Sequence, residues 1–342
     1  MKKQSGMIVC FAAVVLALML FAGCSKPKPD IYIAGFEELD DGSRVAVYWK
    51  NGEKVTLPSS SGSSWAGSIA VSGSDVYVAG FEIPGPGRFQ QALCWKNGEK
   101  IVVSDGINTA WASSIAVSGT DVYVVGREMN DQARFVAVYW INGEKNVLSD
   151  APLSSFANAI AINNTDVYIA GNDSNGRPAG VKAVYWQNGQ RVVLSDSNAG
   201  VSAITISGTD VYIAGKEDTL AVYWKNGEKI NLTDGTVIAT VSAIAVSESD
   251  VYVAGDEIDE RGKKVAVYWK NGNKTVLTES ANSGMAHAVA VDGNNWYIAG
   301  SDTDPNNVQS AVYWENGKKV VLARGANVLR AEANGIAISR KK

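Results

Sequence analysis

A four-part phrase recurs seven times along the chain and constrains its fold more than any single residue does. The parts read Asp-Val-Tyr-Val-Ala-Gly, then Ala-Val-Tyr-Trp-Lys-Asn-Gly-Glu-Lys, then a short Val/Leu run, then Ala-Ile-Ala-Val-Ser-Gly. Each part alternates apolar and polar residues between turn residues, which is typical of short β-strands. The copies are spaced 40 to 46 residues apart and begin at Asp30, Asp75, Asp121, Asp166, Asp210, Asp250 and Asn295.

Four short strands in a period of this length are typical of one blade of a β-propeller. The sequence therefore predicts an all-β, seven-bladed propeller of four-stranded antiparallel blades. The small residues of Ala-Ile-Ala-Val favour this strand for the crowded centre of the ring. An Asn-Gly pair, which suits the positive φ angles of a type I′ hairpin, joins the two outer strands of every blade. These pairs begin at Asn51, Asn97, Asn142, Asn188, Asn226, Asn271 and Asn316.

The two ends of the repeat region predict how the ring closes. The region begins at Asp30 with the second strand of a blade and ends, over residues 334–339, with a lone first strand. We therefore expect the C-terminal strand to complete the N-terminal blade. Closure of this kind leaves no free sheet edge between the first and last blades. Residues 30–342 are predicted to form a single domain.

Residues 1–23 have the pattern of a bacterial signal peptide. Lys2 and Lys3 precede an apolar run that ends near Phe21 and is shorter than a membrane-spanning helix requires. The segment Leu20-Phe21-Ala22-Gly23-Cys24 resembles the lipobox of bacterial lipoproteins, which implies lipidation of Cys24 after cleavage. Residues 24–29 would then be the lipidated cysteine and a short tether. The resemblance implies attachment to the bacterial cell envelope by acyl chains such as palmitate, with the outer membrane as the expected location.

The strand pair Ala-Ile-Ala-Val and Val-Tyr-Val-x-Gly is similar to the repeats of a bacterial β-propeller family. The similarity extends over residues 30–339. It implies the fold and no particular ligand, because propellers serve binding, scaffolding and catalysis alike.

Composition excludes several classes of function. The chain has 31 Lys and Arg against 35 Asp and Glu, a net charge of −4, and no basic block, so nucleic acid is not an expected partner. Of three cysteines, only Cys94 lies within the repeats, so no internal disulfide is expected. The chain has no Gly-x-Ser-x-Gly, phosphate loop or His-Glu-x-x-His. We predict no catalytic residue and no cofactor.

One variable position of the repeat is the best local candidate for a binding site. Three successive copies carry an aromatic residue four positions before the Ile of the inner strand, and the other four do not. The position is occupied by Trp65, Trp111, Phe156, Gly200, Thr240, Met285 and Glu332. The three aromatic rings can stack on sugars or hold an apolar side chain of a partner. Alternatively, they cover the ends of their own blades, and the sequence leaves both readings open.

Other features of the repeat favour structural roles. A Trp of the third strand recurs in all seven copies, as expected for filling the wedge between blades. Each copy also has an acidic residue at the end of its second strand, and we expect pairing with basic residues at the start of the third strand, such as Arg44, Arg88, Arg134, Lys182 and Lys263. His287, the only histidine, is expected to line the mouth of the channel and is a candidate ligand-binding residue. No metal site is predicted, because His287 lacks partners at zinc spacing and two short acidic segments (173–176 and 302–304) lack the glutamate of a calcium loop.

These observations favour a monomeric, lipid-anchored protein whose variable loops bind a protein or a glycan. Trp65, Trp111, Phe156 and His287 are the candidate ligand-binding residues. A carbohydrate-active enzyme, either a glycosidase or a lyase, is one alternative. A structural scaffold of an envelope complex is another.

Overall fold

The computed structural model describes residues 28–60, 62–149, 154–174, 180–322, 325 and 327–340. The signal peptide and Cys24 lie outside these residues. The described chain forms 28 strands in seven four-stranded antiparallel sheets, which are the blades of a propeller. The prediction of seven blades is therefore confirmed.

Blades are numbered from the one that contains the first strand. Blade 1 contains β1 (Asp30–Leu39), β2 (Arg44–Lys50) and β3 (Glu53–Thr56). Blade 2 contains β4 (Ser64–Ser72), β5 (Asp75–Glu82), β6 (Gln91–Lys96) and β7 (Glu99–Val102). Blade 3 contains β8 (Ala110–Ser118), β9 (Asp121–Met129), β10 (Phe135–Ile141) and β11 (Glu144–Val147). Blade 4 contains β12 (Ser155–Asn163), β13 (Asp166–Ser174), β14 (Val181–Gln187) and β15 (Gln190–Ser195).

The remaining blades repeat the pattern. Blade 5 contains β16 (Ala199–Ser207), β17 (Asp210–Glu217), β18 (Leu220–Lys225) and β19 (Glu228–Asn231). Blade 6 contains β20 (Ala239–Ser247), β21 (Asp250–Ile258), β22 (Lys264–Lys270) and β23 (Asn273–Val276). Blade 7 contains β24 (Ser283–Asp292), β25 (Asn295–Thr303), β26 (Gln309–Glu315) and β27 (Lys318–Val321). The last strand of the chain is β28 (Val328–Ser339).

The ring closes as the sequence predicted. Strand β28 pairs antiparallel with β1 and becomes the inner strand of blade 1. The pairing runs from Asp30 opposite Ser339 to Leu39 opposite Val328, with register shifts between Ala34 and Gly35 and between Glu38 and Leu39. In every other blade the Ala-Ile-Ala-Val strand is also at one edge of its sheet, and each of these strands adjoins the corresponding strands of both neighbouring blades. The seven inner strands therefore surround a central channel.

The recurring Trp of the third strand fills the contact between blades. Trp95 packs on Tyr32, Ala34 and Ala46 of the preceding blade, and its Nε1 donates a hydrogen bond of 2.8 Å to the carbonyl of Pro58. The same ring packing, although not the same hydrogen bond, occurs at all seven junctions. Each of these rings is at most 1% exposed: Trp49, Trp95, Trp140, Trp186, Trp224, Trp269 and Trp314. A structural role for these rings is therefore confirmed. Cys94, which precedes Trp95 and replaces the Tyr of the repeat, is also buried, and burial raises the pKa of its thiol to about 12.

The Asn-Gly turns are tied to the neighbouring strand by the Asn side chain. Asn97 and Gly98 both have positive φ, at 51° and 85°, as a type I′ turn requires. The side chain of Asn97 accepts a hydrogen bond of 2.9 Å from the backbone N–H of Val76 and donates one of 2.9 Å to Asp75. Equivalent bonds occur in the other six blades. This explains why the repeat carries both the Asn and an Asp or Asn at the start of the second strand.

We predict that deletion of residues 332–342 will abolish the cooperative unfolding transition. The deletion removes most of β28, which leaves β1 without its inner neighbour and opens the ring between blades 7 and 1. Circular dichroism melting and size-exclusion chromatography measure the effect, with a chain ending at Arg340 as the matched control. A soluble, monodisperse truncation that melts like the control would contradict the closure.

Candidate functional site

The variable loops of all blades lie at one end of the ring, which we name the loop face. Strands alternate in direction, so the short turns within each blade, between strands one and two and between strands three and four, share one end of the molecule. The loops between strands two and three and the connections between blades share the other end. Specificity in propellers and similar scaffolds resides in such variable loops, because the framework positions them rigidly.

Six aromatic rings form a continuous row across the loop face of blades 1 to 4, which we name the aromatic ladder. Each ring contacts the next, with centroid separations of 5.5, 5.5, 6.4, 5.0 and 6.0 Å along the row. These distances are in the range of favourable aromatic pairs. The row consists of Phe36, Trp65, Phe81, Trp111, Phe135 and Phe156.

The structure brings the three predicted aromatic residues together and adds three that sequence reasoning missed. Trp65, Trp111 and Phe156 are half-buried members of the ladder, separated by Phe81 and Phe135. For Phe36 and Phe81 the missed signal was the residue after the repeat glycine, which stands opposite the variable inner-strand position in the sheet. In blade 2 this register places Phe81 opposite Trp65. The two positions are neighbours in each sheet and therefore form one surface. Phe135 is instead the first residue of β10.

Arg127 lies against the middle of the ladder. It stands opposite Trp111 in the sheet, and its guanidinium lies 4.5 Å from the ring centre of Trp111, 5.4 Å from Phe135 and 5.2 Å from Phe156. Burial lowers the pKa of this guanidinium below its ordinary value, although arginine remains a cation near neutral pH. Among the described residues, no carboxylate forms an ion pair with Arg127.

The other half of the rim is polar. At the position after the repeat glycine, blades 4 to 7 carry Asn172, Lys216, Asp256 and Ser301. Asp256 lies 3.5 Å from the ammonium of Lys264, and Gln309 donates a hydrogen bond of 3.2 Å to Glu332. The loop-face rim of the seven-bladed ring therefore has an aromatic half and a polar half.

A β-bulge in each inner strand directs one extra residue toward the channel. In blade 2 the register shifts between Ala66 and Ser68, so Gly67 is the extra residue. A Cβ on the opposing Gly80 would lie 1.8 Å from the carbonyl oxygen of Trp65, which explains why glycine recurs there. The seven bulge residues line the channel or its mouth: Gly67, Ser113, Asn158, Ser202, Ser242, His287 and Asn334.

A cavity of about 360 Å³ opens where the aromatic ladder meets the channel, and we name it the mouth cavity. Its size is within the range of small-molecule sites. One wall is aromatic and cationic, and the other is formed by polar bulge residues of blades 3, 7 and 1. The lining residues are Trp65, Gly67, Gly80, Phe81, Trp111, Ala112, Ser113, Arg127, His287 and Asn334.

His287 lies on the polar wall of this cavity, at the channel mouth where the sequence placed it. Burial lowers the pKa of its imidazole. The carboxylates of Glu332 and Asp256 oppose that shift, whereas Lys264 adds to it. Because burial is the largest cause, His287 is neutral near pH 7. Whether Trp65, Trp111, Phe156 and His287 bind a ligand stays a prediction.

Three residues of the mouth cavity have a buried polar atom without a hydrogen-bond partner. They are the indole Nε1 of Trp65, the guanidinium Nε of Arg127 and the imidazole Nε2 of His287. Buried polar atoms in proteins are nearly always paired, so unpaired ones are unusual. Such atoms also occur elsewhere in the described residues, for example Nε1 of Trp140, Trp186 and Trp314, but these three line one cavity.

The recurring acids of the second strand form ion pairs, as expected, but with a different set of bases. Each is buried and pairs with the Lys or Arg of the fourth strand of its own blade: Glu37 with Lys54, Glu82 with Lys100, Glu128 with Lys145, Asp173 with Arg191, Glu217 with Lys229, Glu257 with Lys274, and Asp302 with Lys319. The prediction of Arg44 as such a partner was wrong. Arg44 stands opposite Glu38 and pairs with it at 3.0 Å, because successive side chains of a strand point to opposite faces.

Several acids also hold the connection from the preceding blade. Glu82 accepts hydrogen bonds from the backbone N–H of Ser60 at 2.8 Å and from its hydroxyl at 3.0 Å. Asp302 accepts one of 2.8 Å from the side chain of Asn282. These carboxylates therefore secure the junctions between blades.

Within the described ranges, no group of three or more His, Cys, Asp or Glu side chains is arranged to hold a metal. Segment 302–304 is engaged in local structure, since Asp304 accepts hydrogen bonds from the backbone N–H groups of Asn306 and Val308 at 2.9 Å. Part of segment 173–176 lies outside the described residues. The same ranges contain no helix of the length and apolar character needed to cross a membrane.

The comparisons with known proteins show the fold. No protein-family model and no curated protein matches the chain. A puromycin-hydrolysing peptidase from Mycobacterium tuberculosis is similar with a TM-score of 0.61 and 12% identity, over 87% of this chain and 53% of that one. An acylaminoacyl peptidase from Pyrococcus horikoshii is similar with a TM-score of 0.52 and 12% identity, over 88% and 51%. This chain thus spans about half the length of each peptidase.

The β-propeller domain of the Trilobed protease from Pyrococcus furiosus is also similar. Its TM-score is 0.53 and its identity 11%, over 88% of this chain and 96% of that one. That domain is described as having an open velcro topology, whereas β28 closes blade 1 here. At these identities the similarity shows a propeller and nothing about activity.

We predict that the pKa of His287 lies below 6.5 in the folded protein. As the only histidine, it gives a single imidazole signal for an NMR titration. An unfolded chain binds the proton more tightly, so this group's contribution to stability is complete above about pH 6.5 and falls as the pH decreases toward the folded pKa. His287→Asn should therefore lose less melting temperature between pH 7.5 and 5 than the unaltered protein. Asn is the natural control because Asn158 and Asn334 occupy equivalent bulges. A titration midpoint at or above 6.5 would contradict the assignment.

Proposed function

We propose that this protein is a lipid-anchored binding protein of the bacterial envelope, whose loop face recognises a glycan or a protein. The observation that carries the proposal is the asymmetry of the loop face. The framework residues are nearly identical in all blades, yet only blades 1 to 4 contribute to the aromatic ladder. A ring that needed these aromatics for its own stability would carry them at every junction.

Exposed apolar side chains on the same face support recognition of a partner. Phe89, Ile107 and Ile238 lie in loops of this face, Leu329 lies at the loop-face end of β28, and each is more than half exposed. Partly exposed aromatic residues at a rim, combined with apolar contacts and a cavity, are typical of binding surfaces.

Binding is favoured over the alternative of a carbohydrate-active enzyme by the state of the acids. Glycoside hydrolysis uses two carboxyl groups that flank the scissile bond. The seven recurring acids of this fold are each held by a Lys or Arg of the fourth strand. The similarity to peptidases concerns their fold and lends no support to peptidase activity here.

The N-terminal sequence supports the envelope location. A basic start, an apolar run and the segment ending in Gly23-Cys24 resemble a lipoprotein signal. Acyl chains contribute about 0.8 kcal/mol per buried CH₂, so two or more of them would anchor the propeller stably at a membrane.

We predict that Cys24 carries the lipid. Cells given alkyne-palmitate should incorporate the label into the full-length protein and not into Cys24→Ser, because the resemblance makes this thiol the site of acylation. Cys94→Ser is the matched control and should label normally, since Cys94 is buried in blade 2. Equal labelling of the unaltered protein and of Cys24→Ser would contradict the proposed lipid anchor at Cys24.

We predict that the ladder is required for binding. The double variant Trp65→Ala, Trp111→Ala should weaken capture of the natural partner from envelope extracts by at least about tenfold, because buried aromatic residues dominate binding energy. Trp296→Ala is the control: this Trp is also half-buried and contacts Tyr268 at 4.4 Å, but it lies beside the short turns at the opposite end of the ring.

The comparison is made at temperatures where all three proteins have the same folded fraction. Loss of capture with the ladder variant alone supports the loop face as the binding surface. Equal capture by all three proteins would place the binding surface elsewhere, and turnover of an added polysaccharide would favour an enzyme.

A further inference from the structure

We infer that the mouth cavity binds an acidic sugar, with Arg127 as the partner of the sugar's carboxylate. This inference rests on the proposed binding function and narrows its ligand to glycans that contain a carboxylate-bearing residue. It assigns a site to Arg127 and His287 together with the inner rings of the aromatic ladder.

The first step is the state of Arg127. Its guanidinium lines the mouth cavity, lies against three rings of the ladder and has an unpaired Nε. Within the described residues it has no ion-pair partner, whereas the recurring carboxylates of the fold each have one. A partly buried cation without an anion is costly, and the missing anion fits most simply in the cavity that Arg127 lines.

The charge of the site indicates a monoanion. Arg44 also lies over a ladder ring, 4.9 Å from Phe36, but it pairs with Glu38 at 3.0 Å. Lys264, across the rim, pairs with Asp256. Arg127 therefore supplies the one uncompensated positive charge of the cavity lining, and its planar guanidinium matches the two oxygens of a carboxylate.

The remaining walls suit a sugar ring. The half-buried rings of Trp65 and Trp111 offer apolar surface beside the carboxylate position. Ser113, His287 and Asn334 on the polar wall offer a hydroxyl, a neutral imidazole and an amide, which can exchange hydrogen bonds with hydroxyl groups. A peptide ending in a free carboxylate would use Arg127 in the same way but would have less use for this row of polar side chains.

The negative charge of Glu332 determines how an acidic sugar would be oriented in the mouth cavity. Glu332 stands opposite Phe36 at the junction of blades 7 and 1, accepts a hydrogen bond from Gln309, and opposes the lowering of the His287 pKa by burial. An anion is attracted toward Arg127 and repelled from Glu332. The carboxylate of the sugar would therefore face blade 3, and its hydroxyl groups would face blades 7 and 1.

The test uses a matched pair of sugars and the intact protein in detergent. Methyl β-glucuronide and methyl β-glucoside share one ring and differ in the carboxylate. We expect the glucuronide to shift the indole N–H signal of Trp65, assigned by its loss in Trp65→Phe, and to bind at least about tenfold more tightly than the glucoside. That preference should decrease as ionic strength rises, because it depends on one charge pair.

Arg127→Gln should reduce glucuronide affinity by at least about tenfold, to the level of the glucoside, and leave glucoside affinity within about twofold. Arg44→Gln is the matched control, since Arg44 also lies over a ladder ring but has its own carboxylate. It should leave the preference for the glucuronide unchanged. Unfolding curves of both variants show whether a loss of binding reflects a loss of fold.

Other outcomes overturn the inference and separate it from the proposed function. Equal binding of the two sugars would be consistent with a glycan-binding loop face but would contradict the role of Arg127 as the partner of a carboxylate. Binding of the peptide Gly-Gly-Phe in place of both sugars would assign the cavity to a peptide terminus. No shift with any probe would overturn the acidic-sugar site, while the capture experiment with the ladder variant would still decide whether the loop face binds a partner.

Discussion

The contact of one Trp ring with the preceding blade is the interaction on which the rest of the molecule depends. Seven sheets that diverge from a common axis leave a wedge between each pair, and a large aromatic residue in the third strand fills it at every junction. Each blade buries one face on its neighbour in this way, so no blade has a complete core by itself. Strand β28 contributes directly to the two cores on either side of blade 1, because Ala331 and Ala333 pack at the junction with blade 7 and Ala337 packs at the junction with blade 2.

This dependence explains which parts of the repeat are constant. The acid of the second strand and the base of the fourth strand secure the junctions near the loop face, and the Asn-Gly turn is tied down at the opposite end. Gly80 and its equivalents leave room for the bulge in the inner strand. Variation is left to the loop-face ends of the first two strands and to the loops, and there the aromatic ladder distinguishes blades 1 to 4 from the others.

The sequence predicted what repeats and missed much of what is particular to one blade. Period, turn chemistry and strand order were readable because each signal recurred in every copy. The partners of the acids were predicted wrongly, since the side chain of Glu37 reaches past the third strand to Lys54 on the fourth. Arg127 stands at the variable position after the repeat glycine, which the sequence did not single out, because its importance depends on three rings from two blades that converge on it only in the folded ring. The mouth cavity was equally invisible, since its walls come from four blades.

The position of that cavity links binding to the closure of the ring. Arg127 belongs to blade 3, His287 to blade 7, and Asn334 to β28, which comes from the other end of the chain. Asn334 also donates a hydrogen bond of 3.1 Å to the carbonyl of Ala66 in blade 2, so the closing strand is fastened beside the site that it completes. A ligand that contacts both walls would bind only the closed ring and would stabilise it in proportion to its affinity and concentration. Ligand binding and ring closure would then be coupled, because the ligand would shift the equilibrium between open and closed rings toward the closed ring. The ligand's carboxylate would supply the anion that Arg127 lacks and would remove the cost of burying this cation unpaired.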